Sequence, residues 1–298
     1  MSGTPRILLL GAGGQLGQAL TESFQDVGEL QAHTHASLDL AQPDVIRAAM
    51  RAANPTVILN AAAYTAVDRA ESEPELARVI NATAPGILAE EAARSAALLI
   101  HYSTDYVYDG TKSGPWTEDD PVAPLNTYGA TKLAGEQAIA AAGADHLIFR
   151  TSWVFGPVGS NFVRTMLRIG RERTELNIVD DQLGAPTSTL ELARATRAIV
   201  DGILANRFGE PSHYSGVYHM SCAGSVSWCG FARAIFERAA TAHGFTAPAV
   251  HPIPTSAYPT PARRPHNSVM SNEKLRARFG VQLAPWQDAL DKVLARLA

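Results

Sequence analysis

A tyrosine and a lysine four residues apart form a pair that can do acid–base chemistry. Tyr128 and Lys132 lie in the segment Tyr-Gly-Ala-Thr-Lys, and residues four apart are neighbours on one face of a helix. A free phenol has a pKa of about 10, and a nearby ammonium lowers that pKa. We therefore expect Lys132 to make Tyr128 a proton donor or acceptor near neutral pH.

A hydroxyl group follows the apolar run that ends at Ser103. At the tip of a strand, the side chain of Thr104 can hold a substrate carbonyl oxygen while Tyr128 supplies a proton. Two simpler interpretations stay open. Thr104 and Asp105 can form a turn in which side chains bond nearby backbone, and Tyr-x-x-x-Lys also occurs by chance in exposed helices.

Alternating strands and helices must position these groups. Short apolar runs closed by glycine or polar residues predict buried strands, and the longer segments between them predict helices, with Asn126 capping the helix of Tyr128. The predicted strands are 6–11, 30–34, 57–60, 98–103 and 146–151, and the helices are 15–27, 43–53, 74–97 and 126–142. This order predicts an α/β fold, a Rossmann-type doubly wound parallel sheet that binds ligands at the carboxyl ends of its strands.

The later part of the chain has a looser pattern and predicts a smaller C-terminal α/β substrate lobe. We expect a dinucleotide-binding domain over 1–155 and a mainly substrate-binding lobe over 156–298, with some later segments returning to the first domain. The proline-rich stretch 248–267 has six prolines and little periodicity, so it is either a surface connection or a loop that closes over a substrate. The other predicted elements are helices 161–173, 187–205, 227–243 and 286–297 and strands 176–179 and 216–220.

Composition excludes several classes of function. The 298 residues are 46% hydrophobic and 18% charged with a net charge of -4, which is ordinary globular composition without the basic footprint of a nucleic-acid-binding protein. No apolar run approaches the ~20 residues of a membrane span, and the first residues do not form a signal peptide. Cys222 and Cys229 have no zinc-type spacing, and His101 is expected to be a packed core residue, so no metal site is predicted. A cytoplasmic protein is expected.

A glycine-rich loop joins the first strand to the first helix. Gly11, Gly14 and Gly17 allow a tight turn and a close approach of the backbone to a pyrophosphate, which rests on the helix N-terminus. At the end of the second strand, His33-Thr34-His35 stands where an acidic residue would favour NAD. We therefore expect NADPH or NADH, with a slight preference for NADPH.

Longer segments carry a more specific resemblance. The glycine spacing is similar to that of extended short-chain dehydrogenases/reductases, in which Tyr-x-x-x-Lys is the catalytic pair. The chain as a whole resembles the dTDP-4-dehydrorhamnose reductase family, from the glycine loop almost to the C-terminus. The segments that carry this resemblance are 60–68, 103–108, 124–136, 150–154, 181–187 and 254–268.

The resemblance implies NAD(P)H-dependent reduction of the 4-keto group of dTDP-4-dehydro-6-deoxy-L-mannose to dTDP-L-rhamnose. It implies Tyr128 as proton donor, Lys132 on the cofactor ribose and Thr104 on the sugar. A homodimer is possible, because some members of the family pair. The implied cofactor-binding residues are Gly11, Gly14, Gln15, Leu16, Asp39, Leu40, Ala63, Tyr64, Thr65, Tyr128 and Lys132, and the implied substrate-binding residues are Thr104, Asp105, Tyr106, Trp153 and Arg263.

Simpler roles compete with several of these assignments. Trp153 can be a core residue, Tyr106 can only pack, and Arg263, like Arg264, can be solvated rather than bind a diphosphate. Asn81 can tie down the neighbouring helix, hold a water near Lys132, or only cap a helix. Two other functions stay open: a non-catalytic NADP-binding regulatory subunit built on this scaffold, and another nucleotide-sugar reductase, epimerase or dehydratase. A dehydratase commonly has an Asp-Glu pair after the threonine, whereas Tyr106 follows Asp105 here.

Overall fold

The computed structural model describes residues 3–243 and 246–297 and has a six-stranded parallel sheet at its centre. The strand order is β2-β1-β3-β4-β5-β10, and the Rossmann-type α/β fold is confirmed. The strands are β1 (Arg6–Leu10), β2 (Glu29–His33), β3 (Val57–Asn60), β4 (Leu98–Thr104), β5 (His146–Thr151), β6 (Val154–Phe155), β7 (Glu175–Val179), β8 (Leu183–Gly184), β9 (Thr187–Ser188), β10 (Gly216–His219), β11 (Val226–Ser227) and β12 (Ala249–Ile253).

Helices cover both faces of this sheet, as predicted. They are α1 (Gln15–Phe24), α2 (Pro43–Ala53), α3 (Val67–Ala70), α4 (Pro74–Arg78), α5 (Ala84–Ser95), α6 (Thr127–Ala141), α7 (Phe162–Ile169), α8 (Thr189–Leu204), α9 (Trp228–His243), α10 (Glu273–Phe279) and α11 (Trp286–Ala295). Among the described residues, no helix is both long and apolar enough to cross a membrane.

Successive strand residues point to opposite faces of the sheet, and this alternation divides the core. Leu9 and Leu59 pack with residues of α1 and α8 on one face. Leu8 and Ile58 pack with residues of α2 and α5 on the other. Continuous apolar strands are therefore needed, because both faces of a parallel sheet are buried.

The strand order places a crevice at the carboxyl ends of β1 and β3. The chain turns from β1 to β2 on one side and continues with β3 on the other side of β1. Ligands bind open α/β sheets at such a switch point. The glycine loop follows β1, so the fold itself directs that loop to a binding crevice.

The predicted helix 74–97 is interrupted by a π-helical turn at Val79–Thr83. Pro85 lies in the first turn of α5, and it has no N–H to donate to the carbonyl of Asn81 four residues earlier. Single π-turns within helices are frequent at functional sites. Here the turn carries the fully buried side chain of Asn81.

Segments from the later part of the chain pack on the central sheet and its helices. The strand β10 pairs with β5 in the central sheet, and α8 packs on α1. The division at residue 155 stays a prediction. Little periodicity was expected in the proline-rich stretch, yet it contains β12, which pairs with β7. Pro252 fits this short two-stranded sheet, because proline is tolerated in edge strands.

Candidate active site

A cavity of about 1260 Å³ opens at the carboxyl ends of the central strands. It extends from the glycine loop, past the end of β4, to the second lobe. The structure brings together at this cavity every predicted site residue except Arg263, namely Gly11, Gly14, Gln15, Leu16, Asp39, Leu40, Ala63, Tyr64, Thr65, Thr104, Asp105, Tyr106, Tyr128, Lys132 and Trp153.

The glycine loop approaches the chain that follows β3 very closely. Gly11 has φ +80°, and a Cβ at that position would lie 2.7 Å from the backbone nitrogen of Ala62. Only glycine fits this combination of a left-handed backbone and a close contact. Gly14 is the N-cap of α1 and has no side chain to cap the helix, so the first turn of α1 presents backbone N–H groups to an anion in the cavity.

Gln15 links the glycine loop to the second lobe. Its Nε2 donates to the carbonyl of Ser160 at 3.2 Å, and its Oε1 accepts from Asn161 Nδ2 at 2.8 Å. Asn161 also caps α7, where its Oδ1 accepts from the backbone N–H of Arg164 at 3.1 Å. The loop before α7 is thereby held beside the N-terminus of α1.

The predicted adenosine side of the cavity lies at Asp39 and Leu40. Leu40 is buried, and the Asp39 carboxylate accepts from the backbone N–H of Ala41 at 2.9 Å and from Gln42 Nε2 at 3.1 Å. These hydrogen bonds lower the pKa of Asp39. The ring of His35 lies 3.8 Å from the same carboxylate.

Asn81 orders the loop of Ala63, Tyr64 and Thr65. Its Oδ1 accepts from the Tyr64 N–H at 2.8 Å, and its Nδ2 donates to the Tyr64 carbonyl at 3.1 Å and to the Thr131 hydroxyl at 3.2 Å. The π-turn therefore fixes both the loop that lines the cavity and the helix that carries Lys132. The bond to Thr131 confirms that Asn81 ties down the neighbouring helix α6, and helix capping alone does not describe these contacts.

The cap predicted for α6 is confirmed. Asn126 Oδ1 accepts from the backbone N–H of Gly129 at 2.8 Å, and α6 begins at the next residue, Thr127. Asn126 Nδ2 also donates to the carbonyl of Arg263 at 2.7 Å. The start of the helix that carries Tyr128 is thus fixed to the proline-rich stretch.

Tyr128 is half-buried and lies beside Thr104. Burial raises the pKa of Tyr128 to about 12, although its hydrogen bond with Thr104 acts in the opposite direction. The predicted lowering of this pKa by Lys132 is wrong for this structure, because desolvation of the phenol dominates. Tyr128 is therefore protonated at neutral pH, which suits a proton donor more than a proton acceptor.

The Lys132 side chain is buried against β4. Its Nζ donates to the carbonyl of Tyr102 at 2.6 Å and lies 3.0 Å from Nε2 of His101. Burial lowers the pKa of Lys132 to about 8, and the charge of Glu136 acts in the opposite direction. Lys132 is thus mainly an ammonium at neutral pH, held by protein groups at the cavity wall.

Asp105 and Tyr106 complete the end of β4. The Thr104 hydroxyl donates to Asp105 Oδ1 at 3.0 Å, and its oxygen accepts from the Tyr106 N–H at 3.1 Å. Burial raises the pKa of Asp105 to about 6. The Tyr106 ring meets the Tyr128 ring edge to face at a centroid distance of 5.8 Å. The turn expected as a simple alternative therefore exists, and the same residues also line the cavity.

Two stacked tryptophans form the wall on the side of the second lobe. The rings of Trp153 and Trp228 are nearly parallel, with centroids 3.5 Å apart. Trp153 has φ +47°, an uncommon backbone conformation for a large residue. Gly184 leaves room for its ring, because a Cβ there would lie 2.7 Å from both Cζ2 and Nε1. Trp153 is therefore held at the cavity and is not a core tryptophan.

The two arginines of the proline-rich stretch have different environments. Arg263 is exposed, and it is not among the described residues that line the cavity. Arg264 forms two hydrogen bonds with the carboxylate of Asp68, at 2.9 and 2.7 Å. Its guanidinium is already paired, so Arg264 is not simply solvated, and diphosphate binding by Arg264 stays a prediction.

Sequence reasoning missed two residues of this site. His101 was expected to be only a packed core residue, yet it contacts Lys132. Trp228 carried no motif, and only its position at the start of an amphipathic helix gave any signal. Within the described part of the chain, no group of three or more His, Cys, Asp and Glu residues is arranged to hold a metal ion.

Comparisons with known proteins agree with this geometry. The family model described as the RmlD substrate binding domain matches residues 5–298. A dTDP-4-dehydrorhamnose reductase from Burkholderia thailandensis is 48% identical over 288 residues, which cover 96% of each chain. One from Escherichia coli K12 is 44% identical over 98% of this chain and 97% of its own. The crystal structure of a dTDP-4-dehydrorhamnose reductase from Bacillus anthracis in complex with NADP has a TM-score of 0.89 and 33% identity, and covers 98% of this chain and 99% of its own.

Proposed function

The chain belongs to the dTDP-4-dehydrorhamnose reductase family, and we propose that it reduces the 4-keto group of dTDP-4-dehydro-6-deoxy-L-mannose to dTDP-L-rhamnose. One observation carries this proposal. Thr104, Tyr128 and Lys132 meet at the end of β4 in the same cavity as the glycine loop. A proton donor and a dinucleotide-binding loop in one crevice suit hydride transfer to a carbonyl.

Each of the three side chains has a distinct part in this reaction. When bound, NADPH or NADH would supply the hydride for the carbonyl carbon. Thr104 holds the carbonyl oxygen, and Tyr128 donates its proton to that oxygen as it becomes an alcohol. Tyr128 is left as a phenolate, and the Lys132 ammonium lines the same cavity. No second base is needed for simple reduction, in agreement with Tyr106 in place of a second acid.

NADPH and NADH both fit the cofactor side of the cavity. The first turn of α1 has no side-chain cap, so its backbone N–H groups suit a pyrophosphate. Gly11 has no side chain to keep the cofactor away from the backbone. Asp39 and Leu40 lie where the adenosine would bind. The end of β2 presents His33, Thr34 and His35 to the cavity, and the Asp39 carboxylate lies 3.8 Å from the His35 ring. The relative from Bacillus anthracis was solved in complex with NADP.

The sugar nucleotide would occupy the side of the cavity formed by the second lobe. Trp153 offers an apolar ring for a 6-deoxysugar, and Asp105 and Tyr106 lie beside the proposed proton donor. Arg263, exposed near this side, would meet the diphosphate.

We also propose the domain division 1–155 and 156–298. A cytoplasmic location is proposed too, consistent with the buried free thiols of Cys222 and Cys229. We propose a homodimer, which light scattering on the purified protein tests.

Turnover with the predicted substrate tests the function. The protein is mixed with dTDP-4-dehydro-6-deoxy-L-mannose and NADPH or NADH, and the loss of nicotinamide absorbance is followed for wild type and Tyr128→Phe. We expect Tyr128→Phe to lose about 10²- to 10⁴-fold in kcat while its affinity for cofactor is unchanged. Undiminished turnover in Tyr128→Phe would refute the proton-donor role, and cofactor binding without turnover in the wild type would favour a regulatory subunit.

A further inference from the structure

His101 lies directly behind Lys132, in the middle of the central sheet. Its side chain is fully buried on β4. Its Nε2 lies 3.0 Å from Lys132 Nζ, and its Nδ1 lies 3.0 Å from the side-chain amide of Asn60, on β3. An imidazole between a lysine and an amide, with both ring nitrogens occupied, forms a chain of polar contacts under the cavity.

This imidazole is neutral. Burial, and then the charge of Lys132, keep the pKa of His101 well below its usual value. A neutral imidazole has one N–H and one acceptor nitrogen. Because an ammonium can only donate, Nε2 must be the acceptor when Lys132 is charged. The N–H then lies on Nδ1 and faces the side-chain amide of Asn60. That amide must flip to accept it, and the flip gives up the 3.3 Å hydrogen bond from the Ala62 N–H to Asn60 Oδ1.

The geometry leaves one donor of Lys132 for a ligand. An ammonium has three N–H groups. The Tyr102 carbonyl accepts one at 2.6 Å, and His101 Nε2 is placed to accept a second. Since Lys132 also lines the cavity, its third N–H is available to the cofactor ribose or the Tyr128 oxygen.

We propose that His101 is a positioning residue for the reduction: its Nε2 and the Tyr102 carbonyl together hold the Lys132 ammonium so that the third N–H faces the cavity. This inference rests on the proposed function, because it assigns His101 a part in the work of Tyr128 and Lys132. It makes His101 act through Lys132, without contact with the substrate.

Few other ionisable groups surround Lys132. Glu136 lies one turn further along α6, and its carboxylate is paired with Arg150 of β5 at 2.6 Å and accepts from Ser103 of β4. Tyr128 and Asp105 lie on the cavity side. Asn60, the neighbour on β3, is neutral. Replacing His101 therefore takes one hydrogen-bond acceptor away from Lys132. The charges of Glu136, Arg150 and Asp105 stay in place.

Loss of this acceptor has a defined consequence. A buried ammonium with one partner fewer is more easily deprotonated. We therefore expect the high-pH limb of kcat/KM to move to lower pH and kcat/KM at neutral pH to fall about tenfold or more, the usual effect of a lost hydrogen bond to a charged group. The KM for cofactor should rise as well, because Lys132 would be aimed less well at the ribose.

Three variants separate positioning from packing. His101→Leu removes both polar contacts. His101→Gln places a side-chain amide where Nε2 was, so it can still accept from Lys132, whereas the shorter His101→Asn reaches only as far as Nδ1 and Asn60. We expect Leu and Asn to lose activity and to shift the pH profile, and Gln to restore most of both. The urea midpoint and the NADPH dissociation constant of each variant measure folding and cofactor binding.

The outcomes are distinguishable. Equal losses of kcat/KM in all three variants, with the high-pH limb unmoved, would show that His101 serves only packing. Normal kinetics in His101→Leu would overturn the inference. If His101→Leu does not fold, the comparison of Gln with Asn decides alone. Should Tyr128→Phe keep its turnover, the proposed function fails. Should Tyr128→Phe be inactive while His101→Leu is normal, only the role of His101 fails.

Discussion

Gly184→Ala tests whether the stacked tryptophans shape the sugar site. A Cβ at Gly184 would lie 2.7 Å from Cζ2 and Nε1 of Trp153. Atoms in good contact are ordinarily ~3.5–4.0 Å apart, so the ring must move by roughly 1 Å. Trp228 already stacks on Trp153 with centroids 3.5 Å apart, which limits the directions in which the ring can retreat.

The size of the effect follows from that displacement. Overpacking of this kind costs about 1–3 kcal/mol of unfolding free energy, which corresponds to a fall of several degrees in Tm at about 2–4 °C per kcal/mol. A misplacement of about 1 Å at a substrate contact can cost up to about 10²-fold in rate. We expect kcat/KM for the sugar nucleotide to fall about 10- to 100-fold. The cofactor dissociation constant should stay unchanged, because Gly11 and Gly14 lie at the other end of the cavity.

Steady-state kinetics at saturating NADPH, with calorimetric Tm and cofactor titration, measure these effects. Gly114→Ala is the matched control, since a Cβ at Gly114 meets no atom within 4 Å and should alter neither kinetics nor Tm. The reasoning is refuted if Gly184→Ala folds, binds cofactor and reduces the sugar nucleotide with the kcat/KM of wild type. A loss confined to cofactor binding would also contradict it.

Three further predictions concern buried polar groups. Burial raises the pKa of Asp105 from 3.8 to about 6, so its contribution to the free energy of unfolding is present below pH 4 and is lost as the pH rises through 6. Asp105→Asn should remove this loss of about 3 kcal/mol. Urea unfolding of wild type and variant at pH 4.5 and 7.5 measures the loss, and an equal pH dependence in both proteins would contradict the prediction. Asn81→Ala removes two hydrogen bonds to the Tyr64 backbone and should weaken cofactor binding about tenfold, and an unchanged fluorescence titration would rule this out. Glu136→Ala leaves the Arg150 guanidinium buried without its carboxylate and should cost about 3–5 kcal/mol in chemical unfolding, so a cost under about 1 kcal/mol would refute it.

Much of the fold could be predicted because its signals are local. Continuous apolar runs mark β1, β3 and β4, and the cap at Asn126 marks the start of α6. The strand β12 could not be found in the same way, because it is a short edge strand whose Pro252 breaks the usual pattern. The π-turn at Val79–Thr83 was missed because periodicity does not resolve one extra residue in a long helical stretch.

In the site too, local sequence signals could be predicted and contacts between distant segments could not. Tyr128, Lys132 and the glycine loop are sequence motifs, and the resemblance to a family carried the rest of the predicted residues. The contact of His101 with Lys132 and the pairing of Arg264 with Asp68 join segments far apart in the chain, so no local pattern contains them. Burial of the phenol raises the pKa of Tyr128. Helix spacing alone predicted a lowered pKa, because spacing carries no information on burial.

The depth of Lys132 depends on the helix backbone as much as on the lysine itself. Gly129, Lys132 and Gly135 follow one another at intervals of three, so they share one face of α6. A Cβ at Gly129 would collide with the carbonyl of Tyr106, and one at Gly135 with the carbonyl of Asn81. The two glycines therefore let α6 lie directly on the turn that follows β4 and on the π-turn, where Lys132 Nζ donates to the Tyr102 carbonyl at 2.6 Å. Tyr-x-x-x-Lys specifies the chemical groups, whereas the flanking glycines specify the distance at which those groups can work.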